Sequence, residues 1–540
     1  MVSKTIKNLC VAIALSVQLH QLHGDATLST SKGFIQPRPS SGNIAREMMM
    51  ESNYRHTDSG SWFGEFSATG FYQRYWTQGD QENGLGAFPF WSGSNTMTIG
   101  NNEQVSTTTP STLANVDAYQ FGLGQVTPGA NPATINLNPI FYQAGTDFML
   151  IMGQSGVKSG FYAKAKVPLA ITEVTYQLTE NNPLVATDYP AGALSVSNAT
   201  VNEPATSMSQ AFLGFKNEQF AGNGDYTPML FGLINNISTT VIRFADFELT
   251  AGYNWIFHEN SSVTIAGRMS CPSGNKADGT YMIEPIVGRG GNYGLGGYAA
   301  GNFQLWHGAH NNKLTCKFMA DVLHLFTTET TRSYDLVSAG PGSRYLLVAN
   351  YANGSYQNEI QNLINHTTLL SNSTFAAEVD IALALNYSCG HGWSFDLGYE
   401  FYGRSAETLE ITGNFANQTY AILGRQGVGQ IGAGATPTTL AQPTATISSS
   451  VARQDVVGVP SALVVDATIA SNRIAASDLD VAAAAQAAYL TSKAFTKIAY
   501  EWNNINYIPF FGMIAEWEFS TCLNNALPQW SIAIVGGTSF

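Results

Sequence analysis

Charge is what this chain lacks most. Asp, Glu, Lys and Arg make up 12% of its 540 residues, about half the share found in ordinary soluble proteins. That deficit argues against a cytosolic enzyme and calls for a non-aqueous neighbour. Basic residues are the scarcer kind: 25 Lys and Arg stand against 38 Asp and Glu, a net charge of −13. A nucleic-acid binder is excluded, because neutralising phosphates takes clustered cations. Cysteine is sparse as well. Five in 540 residues rule out a disulfide-dense scaffold, and the wide spacing of Cys271, Cys316, Cys389 and Cys522 fits no zinc pattern. Beyond the amino terminus no run of about 18 apolar residues occurs, so helical membrane spans are excluded.

What is present is 44% hydrophobic residues, 11% aromatics and 52 glycines, ample for a core and unlike a disordered or fibrous chain. The amino terminus carries Lys4 and Lys7, an apolar run Leu9–Leu19 of 11 residues, and small residues at Gly24 and Ala26. This reads as a secretory signal peptide over residues 1–26, too short to span a bilayer, with cleavage after Ala26 or, nearly as well, after Gly24. Residues 27–60 are then expected as a periplasmic segment.

Alternation dominates the rest. Phe161, Ala163, Ala165 and Val167 share one face while Tyr162, Lys164 and Lys166 share the other. Val379, Ile381, Leu383, Leu385 and Tyr387 oppose Glu378, Asp380, Ala382, Ala384 and Asn386; after a Cys389-Gly390-His391 turn, Trp393, Phe395, Leu397, Tyr399 and Phe401 alternate with Ser394, Asp396, Gly398, Glu400 and Tyr402. That is a hairpin. The same period predicts strands over 62–76, 157–167, 171–179, 241–257, 261–270, 293–306, 313–326, 374–388, 392–404, 492–503, 510–520 and 529–540. Connections alternate between short (168–170, 258–260, 307–312, 389–391, 504–509) and mostly long (77–156, 180–240, 271–292, 327–373, 405–491, 521–528). The expected fold is all-β: a transmembrane antiparallel up-and-down β-barrel over 61–540, of about twelve strands with 14 or 16 open, with short periplasmic turns, long extracellular loops and both termini on the periplasmic side. Trp255, Phe257, Trp393, Tyr500, Trp502 and Phe511 fall near the short-turn end, as a lower aromatic girdle would.

The last segment sets Trp530, Ile532, Ile534 and Phe540 on one face and ends on an aromatic residue. It resembles the closing strand of the Gram-negative outer-membrane β-barrel superfamily, porin-like members included. The resemblance implies an outer-membrane location and recognition of Trp530, Ile532, Ile534 and Phe540 by the barrel-assembly machinery.

Twelve acidic residues fall on the faces expected to point inward: Glu65, Glu173, Asp246, Glu248, Asp321, Glu378, Asp380, Asp396, Glu400, Glu501, Glu516 and Glu518. Seven basic residues join them: Lys164, Lys166, Arg268, Lys313, Lys317, Lys493 and Lys497. Such a lumen would pass ions or small solutes with a weak cation preference, unless the charges pair across strands and fill the interior. The competing reading is a barrel without an open pore whose long loops bind a partner. Loop 405–491 is long enough to need a role; Ser477-Asp478-Leu479-Asp480 before Val481–Ala488 reads as a capped helix that could fold into the lumen. No catalytic set emerges: His258, Glu259, His307 and His310 read as turn residues. Gly288-Arg289-Gly290-Gly291 opens no helix after a buried strand and so is no phosphate loop. No cofactor or metal is expected, the eight Asn-x-Ser/Thr triplets suit chance in so Asn- and Thr-rich a chain, Cys271 and Cys522 share outer loops and could pair, and membrane lipid and a second copy of the chain are the remaining partners allowed.

Overall fold

The computed structural model describes residues 34–53, 62–75, 96–100, 115–123, 133–154, 159–181, 203–220, 226–235, 237–258, 261–352, 355–422, 446–448, 473–502, 507–520 and 527–540. The signal-peptide expectation therefore lies outside the described residues. Twelve antiparallel strands make up the barrel: β1 (Trp62–Tyr75), β2 (Ile140–Gln154), β3 (Ser159–Thr175), β4 (Thr239–Phe244 continued by Phe247–His258), β5 (Ser261–Cys271), β6 (Gly294–His307), β7 (Lys313–Ser333), β8 (Thr368–Ser388), β9 (Trp393–Arg404), β10 (Tyr489–Glu501), β11 (Ile508–Ser520) and β12 (Gln529–Ser539). Each pairs with its neighbour in sequence, and β12 returns to β1 in a register running from Glu65↔Ser539 to Tyr75↔Gln529, which closes the ring. Closure leaves no free edge, the condition for a sheet to sit in lipid.

Side-chain alternation divides each strand as the sequence indicates. Along β8, Glu378, Asp380, Ala382, Ala384 and Asn386 are buried toward the interior, whereas Ile381, Leu385 and Tyr387 are exposed on the outside. Leu397 on β9 is 68% exposed and Met513 on β11 is 63% exposed, in an apolar belt suited only to lipid. At the short-turn end the belt is rimmed by Trp62, Trp255, Phe257, Trp393, Trp502, Phe511 and Phe540. Trp393 meets Tyr500 edge-on at 5.2 Å, and Tyr500 meets Trp502 at 5.0 Å.

Twelve strands agree with the expected number, yet two assignments behind that number were wrong in opposite senses. Ile140–Gln154 is a strand that the alternation misses, because Met149 and Ile151 on its inner face are as apolar as Phe148, Leu150 and Met152 on its outer face. Conversely, the separate strands at 157–167 and 171–179 are one continuous strand, β3, which runs straight through Pro168. The ladder accommodates the missing N–H of Pro168 by a break in β4: Lys166 faces Glu248 and Leu169 faces Phe244, so one extra residue bulges from β4, and the Ala245 N–H donates to the Pro168 carbonyl. The connection expected at 168–170 is thus inside a strand, and residues 155–158 take its place in the sequence.

The outer connections are built into a cap. One four-stranded sheet joins Thr96–Gly100, Val116–Asp117, Ala133–Asn136 and Thr179–Asn181; a second joins Leu347–Ala352, Ser355–Asn362, Tyr420–Ile422 and Tyr226–Thr227. A continuous apolar core underlies both, centred on Phe121, Phe212, Tyr345, Leu363 and Ile364. Phe121 stacks on Tyr345 at 5.7 Å and leans on Phe212 at 5.3 Å. β7 and β8 extend past the belt, to Ser333 and from Thr368, and carry Glu407–Ile411 as an added strand.

Candidate functional site

The barrel interior is occupied by the chain's own amino-terminal region. Residues 34–53, expected as part of a periplasmic extension, instead run down the lumen, and this corrects that expectation. Phe34 lies at the cap end with its ring over the Arg332 guanidinium at 3.6 Å, and Asn53 lies at the turn end, where its N–H donates to Glu501 Oε1 at 2.9 Å. In the middle sits α1 (Ile44–Met50), whose side chains are all buried. Local sequence favours this helix: the Asn43 side chain accepts the Arg46 N–H at 2.9 Å, and Glu47 occupies the first turn. Its methionines and Ile44 join a lumenal apolar cluster with Phe63, Phe71, Met149, Ile151, Phe495, Phe510 and Ile514. Met149 and Ile151 on the inner face of β2 join this cluster, while Asp147 on the same face meets Arg46 of the helix.

Charge fixes the rest of this plug. Arg38 donates to Asp380 at 2.7 Å and to Glu400 at 2.8 Å, with Glu518 at 3.4 Å. Arg46 reaches Asp147 at 2.6 Å and lies 4.0 Å over the Phe71 ring. Glu47 accepts from Lys164 at 2.6 Å, Lys166 at 2.9 Å and Arg268 at 2.7 Å. The Ile44 and Ala45 N–H groups, orphaned at the helix start, donate to Asp380 and Glu400. Near the turn end, Lys317 donates to the Asn53 side chain and to Asp396.

A second segment enters from above. In the connection 272–292 the Arg289 guanidinium is buried among Glu378 (2.8 Å), Glu248 (2.8 Å) and Asp246 (3.3 Å), and it also donates to Ser41 of the plug and to Ser270.

Asp246, Glu248, Arg268, Lys317, Asp321, Glu378, Asp380, Asp396, Glu400, Lys497, Glu501, Glu516, Glu518, Lys164 and Lys166 are all buried in the interior, as is Glu65. They do not line open water. The charges pair with one another, as in Lys493–Glu400 at 2.7 Å and Arg268–Asp321 at 3.1 Å, or with the plug. Glu173 is misplaced by the sequence reading: once β3 is continuous, it shares the outer face with Phe161 and Ile171. Lys313 stands half-buried at the turn end of β7. Sequence reasoning missed Asp147, Arg289, Arg404 and every plug residue. A signal for the plug was available in Asn43, followed by the strong helix formers Ala45-Arg46-Glu47-Met48-Met49-Met50.

Among its described residues, loop 405–491 builds on the cap and touches the plug where the Gln486 amide donates to the Gln36 carbonyl at 3.0 Å. Its Glu407–Ile411 strand pairs with β8 at the cap, and the helix shrinks to Val481–Ala484 with Asp480, rather than Ser477, as its cap. Among the described residues no cluster of His, Cys, Asp and Glu could hold a metal. His307 and His310 are exposed at a turn. Cys271 is a free thiol, and Cys522 lies outside the described residues, so the pairing expected between them does too. Trp530, Ile532 and Ile534 face outward on β12, and Phe540 exchanges backbone hydrogen bonds with Gly64 at 2.7 and 2.8 Å.

Among the groups outside the membrane with perturbed acidity, two stand out. Burial and the neighbouring Asp278 push the Glu284 carboxyl up to about 8, and burial against Tyr420 pushes His366 down to about 4.

No protein-family model matches the chain, and no curated protein does. Among solved structures it is similar to the COG4313 outer membrane channel of Pseudomonas putida F1, at 8% identity and a TM-score of 0.36, over 91% of this chain and 99% of that one. A Pseudomonas aeruginosa FadL homologue aligns at 10% identity and a TM-score of 0.26, over 94% and 98%. A TodX monoaromatic hydrocarbon channel mutant aligns at 8% identity and a TM-score of 0.29, over 96% and 99%. Similarities this distant carry no cargo or mechanism across; the reading of this chain rests on its own barrel and lumen.

Proposed function

We propose that the protein is an outer-membrane channel held shut by residues 34–53, which passes ions or small solutes when that segment shifts. The observation that carries this reading is the bonding of the plug. Beside the apolar face of α1, the plug is held in this lumen by polar contacts with the wall and with Arg289, which water and ions can replace. On this reading the chain reaches the membrane after losing its signal peptide, and the outward Trp530, Ile532, Ile534 and Phe540 serve the assembly machinery. Once the plug is out, the carboxylates at 65, 380, 396, 400, 501, 516 and 518 outnumber the cations near them and give the pore its cation preference. The test is conductance of the refolded chain in a planar bilayer under a salt gradient, beside a variant lacking residues 34–53. The full chain should be mostly silent and the deletion should show stable, cation-preferring steps. A folded deletion variant that stays silent would overturn the reading.

One observation favours a second role beside it. The cap has two sheets and an apolar core of its own, more structure than a barrel needs to join its strands. A rigid outer cap suits binding of a partner at the cell surface. Loss of surface binding in a variant with the cap connections shortened, its barrel intact, would support that role; unchanged binding would remove it.

A further inference from the structure

We propose that the tip of the connection 272–292, residues 286–291, is a gate with two discrete positions, and that Arg404 is the cation that replaces Arg289 on Glu378 when the tip withdraws. This rests on reading the lumen as a conduit, although its test does not use conduction. Glu378 on β8 and Arg404 on β9 stand directly opposite in the register, both facing inward. Neighbouring opposite charges on one sheet face ordinarily pair. Here they do not. One Glu378 oxygen accepts from Arg289 at 2.8 Å and the other from the Tyr402 hydroxyl at 2.9 Å. Arg404 is left buried, 2% exposed, with none of its three guanidinium nitrogens hydrogen-bonded; the rings of Phe375 at 4.8 Å and Tyr489 at 5.9 Å flank it, and Glu378 acts on it through space without a direct contact.

A buried guanidinium without a single hydrogen bond is costly, and proteins hold such groups rarely. The neighbouring geometry supplies the reason. Arg289 is a visitor: it belongs to no strand, and it arrives on a tip where Gly288, Gly290 and Gly291 all take left-handed φ of +81°, +66° and +93°. A Cβ at Gly288 would stand 2.7 Å from Asp246 Oδ1, so only glycine lets the tip approach the wall this closely. Withdrawal of the tip removes Arg289 from Glu378, and the cross-strand Arg404 then takes the vacated oxygen. Each position leaves one guanidinium seated on Glu378, which makes the element bistable rather than merely loose. The tip also holds the plug at two points, through Arg289 to the Ser41 hydroxyl and through the Gln36 amide to the Gly288 carbonyl. Outward movement of the connection therefore loosens residues 34–53.

The position of the connection can be read by the reactivity of a cysteine at Ile286, which is 2% exposed and packs with Phe34 and Ala277. The full chain carrying Ile286→Cys, its native cysteines replaced by Ser, is placed in liposomes and treated from the cap side with a membrane-impermeant maleimide. Arg404→Met removes the partner of the outward position only, so labelling should slow by roughly tenfold or more. Arg289→Gln removes the partner of the inward position, so labelling should quicken by a similar factor, and adding Arg404→Met to it should undo most of that gain. Heat-modifiable migration on gels checks that each barrel is folded; should Arg404→Met fail to assemble, Arg404→Gln is read by the same criteria. An Arg404 variant labelled as fast as its parent overturns the proposal. A silent plug deletion together with the expected labelling rates would discard the channel reading and keep the two-position element.

Discussion

The lumen and the cap are two closed spaces in one chain, and they are closed by different physics. Inside the barrel, Arg38, Arg46, Glu47 and Arg289, all buried, bind wall charges. In the cap, Phe121, Phe212, Tyr345, Leu363 and their neighbours exclude water by apolar contact, with few charges among them. An apolar core is non-directional and tolerates small shifts, whereas a lumen built from paired charges has few arrangements that satisfy every group. The cap can thus relax by small shifts, whereas the lumen changes only by exchanging one discrete set of charge partners for another.

The sharpest way to break this contrast is to remove a lumenal charge. Glu47→Leu takes from Lys164, Lys166 and Arg268 the carboxylate they share, leaving Glu51 to Lys164, Glu248 to Lys166, and Glu248 and Asp321 to Arg268. Three cations held on the wall then lose the plug's anion at once, so the plug should loosen and residues 34–53 become cleavable by protease while the barrel keeps its heat-modifiable migration. A plug still protected in that variant would mean that the apolar face of α1, rather than charge, holds it. Next in size is Leu363→Ala in the cap core. The cavity should cost about 2–5 kcal/mol and quicken proteolysis of the outer connections, with no change in plug protection. Coupled loss of both would show that cap and lumen are one unit.

Asp380→Asn with Asp396→Asn should act more weakly, since Arg38 keeps Glu400 and Lys317 keeps Asn53. Cation preference in the plug-deleted pore should fall without unfolding; unchanged reversal potentials would remove these residues from any filter. The smallest effect belongs to Glu284. Its folded pKa of about 8 lies above that of an ordinary carboxyl, so the folded cap holds a proton that the unfolded cap gives up between about pH 4.5 and 8, and stability through this group falls as pH rises across that window. His366, held down at about 4, acts oppositely and loses stability as pH falls from about 6.5. Glu284→Gln should flatten the alkaline slope alone, measured by hydrogen exchange of the cap at pH 5 and 8. A slope as steep as in the parent would assign it elsewhere.

Legibility followed period. Strands with one apolar and one polar face, such as β8 and β9, were readable residue by residue, and their inward carboxylates with them. β2 was not, since Met149 and Ile151 inside match Phe148, Leu150 and Met152 outside and erase the alternation there. The connection expected at 168–170 lies inside β3 because Pro168 is carried in the ladder by a bulge on the facing strand.

The sequence by itself determined that this chain closes into a lipid-facing barrel. Alternation and the shortage of charge are properties of each strand and need no partner to be read. Only the tertiary structure decided what fills the barrel, because a helix at residues 44–50 has no stated address until the wall is assembled around it. The same holds for charge. Carboxylates on inward faces announce an acidic lumen in the sequence, but whether they meet water or a guanidinium depends on Arg38, Arg46 and Arg289 arriving from remote segments, and Coulomb energy is set by distances that no local pattern encodes.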